Sequence, residues 1–266
     1  MEKILCSGTR FDTEITPQQC LNCALKRQND CGYGYAMLNS MFDDKERTGI
    51  HVTDLTGCLR KSFYEKTQPR AKYVHEKLLL FIGTITHAIF ERGLENNEHL
   101  QAELKVKGLG IEGTSDIVYE EGRLVDFKTT RWMKPGYLPY GSHEMQLNVY
   151  AQMLREMGRE INSLAIQYID MSGPTKCRAC KVPVRMRPDG GVACPMCGYI
   201  PRDPHLGAYL CEIPVWTETQ CKDWINRRRE ALEVGLVFGD APDGDPGFLC
   251  RYCDFTDICD VSEVTR

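Results

Sequence analysis

Apolar residues recur at three- and four-residue steps in three stretches of the chain. Between Ala71 and Asn97, Leu78, Phe81, Ile82, Ile85, Ile89 and Phe90 form one stripe, which predicts a long helix. Glu144–Arg155 carries a broader face of Met145, Leu147, Val149, Tyr150, Met153 and Leu154, and Thr217–Phe238 reads as a third amphipathic helix. A shorter helix is expected over residues 52–65, opened by Thr53 or Asp54 as its N-cap. Alternating runs predict strands at 101–106, 113–119, 124–129, 161–169 and 206–215, with Glu120, Glu121, Gly122 and Arg123 as a hairpin turn. Residues 1–50 read as loop apart from Tyr35–Phe42. Strands bracketed by helices, with a hairpin in the middle, predict a mixed α/β domain with grafted modules. The expected organisation is an amino-terminal segment (1–50), a core (51–170 and 207–238), an insertion (171–206) and a carboxyl segment (239–266) reached through the turn-rich GDAPDGDPG.

Composition narrows the class. The 266 residues are 42% hydrophobic and 26% charged, which suits a globular protein with a real core. No run of about 18 apolar residues offers a membrane span, and the amino terminus shows no export leader, so a cytoplasmic location is expected. A formal net charge of −4 excludes a uniformly basic nucleic-acid coat but not a local basic groove. Fourteen cysteines are the outlier. In a reducing compartment, CxxC pairs read as metal ligands rather than disulfides.

The stretch GTSDIVYEEGRLVDFKTT (113–130) is the most informative. Residues two apart on a strand share a face, so Asp126 and Lys128 project together, and hairpin pairing lays Asp116 beside Asp126. Two carboxylates and an ammonium at one strand end can bind a divalent cation and hold a water for attack on phosphate. A bare DxK is otherwise an ordinary solvated hairpin. Its setting adds His87 on a helix upstream and Gln146 with Tyr150, four apart on one helix face, downstream.

In that order, GxxxH, GxxD, DxK and QxxxY resemble the RecB-type branch of the PD-(D/E)XK nucleases, from about Val52 to the carboxyl terminus. The resemblance implies a restriction-endonuclease-like mixed sheet flanked by helices, and a nuclease that uses Mg2+ or Mn2+. It implies that His87, Asp116, Asp126 and the Phe127 carbonyl hold the cation. Lys128 would orient or deprotonate the attacking water, and Gln146 and Tyr150 would contact substrate and support the site. Asp126 stands where many relatives carry Glu, and both occur in the family.

Eleven of the fourteen cysteines form three sets. Cys177, Cys180, Cys194 and Cys197, spaced C-x2-C-x13-C-x2-C, are a zinc-ribbon pattern. The insertion around them has six Lys or Arg, including Arg185 and Arg187, against Asp189 and Asp203. That excess suits either contact with DNA phosphate or a merely solvated structural ribbon. Cys6, Cys20, Cys23 and Cys31 follow no common template, which leaves a second zinc site open. Cys250, Cys253 and Cys259 give three ligands where a tetrahedral metal or a cluster needs four. Here the resemblance extends to the iron–sulfur members of the branch, the CRISPR-associated RecB-like exonucleases and the AddB nuclease domain. It implies Cys58 as fourth ligand of a 4Fe–4S cluster, with Arg60 and Tyr64 as part of the same motif; zinc at those thiolates is the alternative. It also points to single-stranded DNA ends as substrate, in CRISPR adaptation, recombination or phage DNA processing, with protein partners of a DNA-processing complex. A non-catalytic DNA-binding or adaptor subunit is the competing expectation.

Overall fold

The computed structural model describes all residues except 1–2, 7, 9–12, 27–30, 43–47, 95–96, 131–132, 134, 203 and 262–266. In chain order the elements are β1 (Ile4–Leu5), β2 (Glu14–Ile15), α1 (Pro17–Leu25), α2 (Tyr35–Met41), α3 (Val52–Thr56), α4 (Leu59–Thr67), β3 (Lys72–Tyr73) and α5 (Val74–Leu94). There follow β4 (Leu100–Gly108), β5 (Ile111–Tyr119), β6 (Arg123–Thr130), α6 (Gly141–Glu156), β7 (Ser163–Asp170), β8 (Arg185–Met186), β9 (Val192–Ala193), β10 (Ala208–Ile213) and α7 (Glu218–Phe238). They belong to two compact units: residues 1–49, 58–89 and 230–266, and residues 50–57 and 90–229.

In the first unit, β1 pairs antiparallel with β2 and parallel with β3. Its core gathers Ile4, Cys20, Leu21, Leu38, Met41 and Val74. The sequence reading leaves residues 14–25 as loop, yet α1 forms there. Thr16 accepts from the Gln19 amide while the Gln19 side chain accepts from the Thr16 amide, and Pro17 occupies the first turn. The expected helix over 52–65 is two helices. Gly57 is extended between them, and His51, not Thr53 or Asp54, caps the first, its amide donating to Asp54 Oδ2 at 2.9 Å.

The second unit holds a five-stranded mixed sheet in the order β10-β7-β6-β5-β4. The β4–β5–β6 run is antiparallel, β6 and β7 are parallel, and β10 returns antiparallel to β7. Strands parallel to each other need a crossover, and α6 supplies it. Its Leu147, Val149, Ala151, Met153 and Leu154 are fully buried, as are Leu124, Leu164, Ala165 and Ile166 of the sheet. Asn148 is buried too. Its amide donates to the Glu144 and Pro214 carbonyls at 3.1 Å each, and its Oδ1 accepts from the Trp216 amide at 2.8 Å. These bonds tie the crossover helix to the chain leaving β10.

Candidate active site and metal centres

The expected hairpin forms, and it sets the acidic residues side by side. Ile117 faces Val125 and Val118 faces Leu124, a register that puts Asp116 opposite Asp126 and on the same face. Both are buried. The Phe127 amide donates to Asp116 Oδ2 at 2.6 Å, which fixes that carboxyl against β6. Two residues beyond Asp126, Lys128 Nζ lies 2.7 Å from Asp126 Oδ2.

Tyr150 joins the pair. Burial pushes its phenol up to about 12, against a hydrogen bond with the Gln146 side chain, and Asp126 and Asp116 add to the rise. It is therefore a neutral hydroxyl beside both carboxylates, with Gln146 at its side as the QxxxY spacing predicts. Gly113 makes room for it. A Cβ on Gly113 would lie 2.7 Å from Tyr150 Cε1 and 3.2 Å from Val52 Cγ2. The first residue of GxxD is thus a glycine because an aromatic ring occupies the space where a side chain would stand. The Phe127 ring stacks on Phe90, with centroids 4.1 Å apart.

Two residues outside the expected set border this site. Burial, and after it the Lys128 ammonium, holds His143 down to about 3, so its imidazole is neutral. Its Nδ1 lies 3.1 Å from the hydroxyl of Tyr168, which is fully buried and stands beside Lys128 in the parallel β6–β7 ladder. His87 sits on α5, in the first unit.

Oxygen donors of this kind suit a hard divalent cation. The ribbon offers the opposite chemistry. Sγ atoms of Cys177, Cys180, Cys194 and Cys197 all lie within 4.8 Å of one another, with Cys177 and Cys197 at 3.6 Å. Zinc–sulfur bonds of about 2.3 Å set tetrahedral thiolates about 3.8 Å apart, so the four fit one zinc. The Cys180 amide also points at Cys177 Sγ at 3.5 Å. Arg185 is exposed on β8, and Arg187 pairs with Asp189 at 2.7 Å in the turn; Asp203 lies outside the described residues.

The ribbon is rooted on the sheet by Asp170, at the end of β7. This buried carboxylate accepts from the Met133 amide at 2.9 Å and from Ser172, and lies 3.1 Å from His205 Nδ1. Its own amide donates to the Gly207 carbonyl at 2.7 Å.

The carboxyl tail lies along α4. Arg60 pairs with Asp260 at 2.5 Å, Tyr64 donates to the Ile258 carbonyl at 3.4 Å, and Arg70 pairs with Asp257 at 2.8 Å. Phe255 is buried between the Tyr64 ring, 5.5 Å away, and the Arg70 guanidinium, 5.0 Å from its centroid. Cys58 accepts at 3.4 Å from the Asp245 amide, and burial above all, with Cys58 a minor contributor, raises the Cys253 thiol. Among the described residues, the thiols of Cys58, Cys250, Cys253 and Cys259 are not drawn together as tightly as those of the ribbon. The amino-terminal set also converges. Burial, and then Cys31, Cys6 and Cys23, push the Cys20 thiol up to about 11.

No helix among the described residues is long and apolar enough to cross a membrane. No curated protein matches the chain. Among solved structures, one described as the crystal structure of SSO0001 shares the fold, with a TM-score of 0.50 and 20% identity over 94% of this chain and 98% of the other. Residues 36–260 match the family described as the PD-(D/E)XK nuclease superfamily. A match of that extent, over a chain whose mixed sheet opposes Asp116 to Asp126, means that the protein belongs to the PD-(D/E)XK nuclease superfamily.

Proposed function

We propose that the protein is a divalent-metal-dependent deoxyribonuclease acting on single-stranded DNA ends, with a zinc ribbon and an iron–sulfur clasp. The observation that carries this reading is the opposition of Asp116 and Asp126 across β5 and β6, with Lys128 2.7 Å from Asp126. Family membership supports phosphodiester cleavage in nucleic acid and the use of a divalent cation. Asp116, Asp126 and the Phe127 carbonyl hold Mg2+ or Mn2+, and the resemblance adds His87 to the ligand set. The bound cation supplies a polarised water and neutralises charge on the phosphate.

Each residue then has a task. Asp116 arrives oriented, because the Phe127 amide occupies one of its oxygens. Lys128 is kept at the site by Asp126, and its ammonium orients the water and offsets charge developing on phosphate. His143, neutral and tied to Tyr168, adds no second positive charge next to Lys128. Tyr150 keeps its proton and supports the carboxylates with Gln146. On the ribbon, Arg185 and Arg187 extend the path of the DNA; an exposed pair such as Arg187–Asp189 is weak and exchanges readily for phosphate.

The tail's cluster is read as 4Fe–4S rather than zinc. A cube that takes one thiolate at each iron spreads its ligands wider than a single tetrahedral ion does. That choice rests on the resemblance to the iron–sulfur members of the branch. The convergence of Cys6, Cys23 and Cys31 on Cys20 supports a second zinc site.

End-labelled single- and double-stranded DNA, incubated with Mn2+, Mg2+ or chelator, tests the activity. Single-stranded ends should be degraded in a cation-dependent way. Asp126→Ala and Lys128→Ala should each slow cleavage by roughly 100-fold or more while DNA binding persists. Near-normal cleavage by either variant would remove these residues from catalysis. Tight DNA binding without cleavage under any metal would favour an adaptor.

A further inference from the structure

The edge of the sheet places one more carboxylate at this site. On β4 and β5, Ala102 faces Ile117 and Leu104 faces Ser115; the residue between, Glu103, stands opposite Asp116, and the ladder records no pairing there. Glu103 also has a φ of 49°, in the left-handed region rather than the extended one. Carboxylate oxygens of Glu103 and Asp116 come within 4.8 Å of each other. Since Asp116 in turn faces Asp126, three carboxylates occupy one rung across β4, β5 and β6.

We infer that Glu103 is a further ligand of the divalent cation bound at Asp116, supplied by the edge strand rather than by the hairpin. The inference rests on the proposed metal site and adds a residue to it. Like charges this close repel each other, and a hard cation taking an oxygen from each turns that repulsion into attraction. Burial of Asp116 sharpens the effect, because there is little water to screen the pair. The Phe127 amide donates to Asp116 Oδ2, which holds that carboxyl in place at the site. Glu103 itself is half-buried.

The test measures Mn2+ binding to the full, zinc-loaded chain, reading free Mn2+ by electron paramagnetic resonance, with far-UV circular dichroism as the check on folding. Wild type, Glu103→Gln and Asp126→Asn are compared. Glu103→Gln should weaken Mn2+ binding by roughly 10-fold or more, the loss expected when a group supporting a metal site is removed. Should Glu103→Gln disturb the strand, Glu103→Asn replaces it, since Asn tolerates a positive φ and removes the charge all the same. If wild type binds Mn2+, Asp126→Asn loses it and both Glu103 amides bind as wild type does, Glu103 is no ligand and the proposed site stands without it. If wild type binds no Mn2+, the proposed metal site and this inference both fail.

Discussion

The ribbon and the carboxyl tail are both cysteine modules, but they are held in different ways. The ribbon's buried apolar side chains include Val184, Val192 and Ala193, all small, and its two strands are two residues each. So little core cannot hold a fold by itself, and four thiols within 4.8 Å of one another suit a metal that would. The described residues of the tail form no strand, yet the tail is fastened to α4 by Arg60 and Tyr64, to the chain just after α4 by Arg70, and by the burial of Phe255. The proposed zinc would organise the ribbon; side chains already organise the tail. A shared CxxC pair therefore does not imply the same dependence on metal.

The largest effect should come from the ribbon's zinc. Structural zinc binding is worth roughly 10–16 kcal/mol of apparent free energy, and in a module this poor in core most of that is folding energy. Chelation, or Cys194→Ser, should abolish hydrogen-exchange protection across residues 175–205 and leave it intact in β4 to β7. Continued protection in the ribbon after zinc removal would erase the contrast.

Next comes the tail. Phe255→Ala should cost about 3–5 kcal/mol, the usual range for emptying a buried aromatic site, and should leave zinc content unchanged. Cys58→Ala should bleach the iron absorbance completely yet lower the melting temperature less, because the contacts of Arg60, Tyr64 and Arg70 remain. A larger fall in Cys58→Ala than in Phe255→Ala would show that the tail depends on its metal as the ribbon does.

Acid should loosen the ribbon's root before it loosens the tail. Burial tends to raise the Asp170 carboxyl, but hydrogen bonds from the Ser172 hydroxyl, the Met133 and Ser172 amides and His205 overcome it and hold it below the ordinary carboxylate range. A depressed pKa stabilises the folded state above about pH 4 and loses that contribution as pH falls through the lower native value. Asp170→Asn should flatten this part of the acid dependence, read as thermal melting from about pH 5 down to about pH 3.

The smallest effect should be on DNA binding. Removing Arg185 and Arg187 together should make the slope of log affinity against log salt shallower by about 1.4 for single-stranded DNA. Phe255→Ala should leave that slope alone. An unchanged slope in the double variant would make the ribbon a structural module.

Much of the second unit was legible because its signals are local. The DxK pair, the hairpin turn and the QxxxY spacing each need only a few consecutive residues, and β5, β6 and α6 form where the pattern puts them. The ribbon was legible for the same reason, its four ligands lying within one short segment. Glu103 was not. In LQAELKVKG it reads as one charge among several on an exposed strand, and nothing local reveals a positive φ or a partner across the sheet. The role of Gly113 was equally hidden, because it depends on Tyr150 folding back from a helix far along the chain. The missed helix α1 is a different case. Thr16, Pro17 and Gln19 form a complete start signal, obscured by the lack of a strong apolar stripe behind them.

The amide of Asp170 and the carbonyl of Gly207 meet at 2.7 Å, so the insertion leaves β7 and re-enters at β10 through almost the same point. Gly207, at φ 78°, has the backbone freedom that such a tight closure favours. Whatever is spliced between these two strands therefore leaves the order and register of the sheet untouched. A short reverse turn would close the gap, and so would a different module of similar footprint. The protein thus carries a natural graft point, where lineages or engineers can exchange one appendage for another without rebuilding the catalytic scaffold.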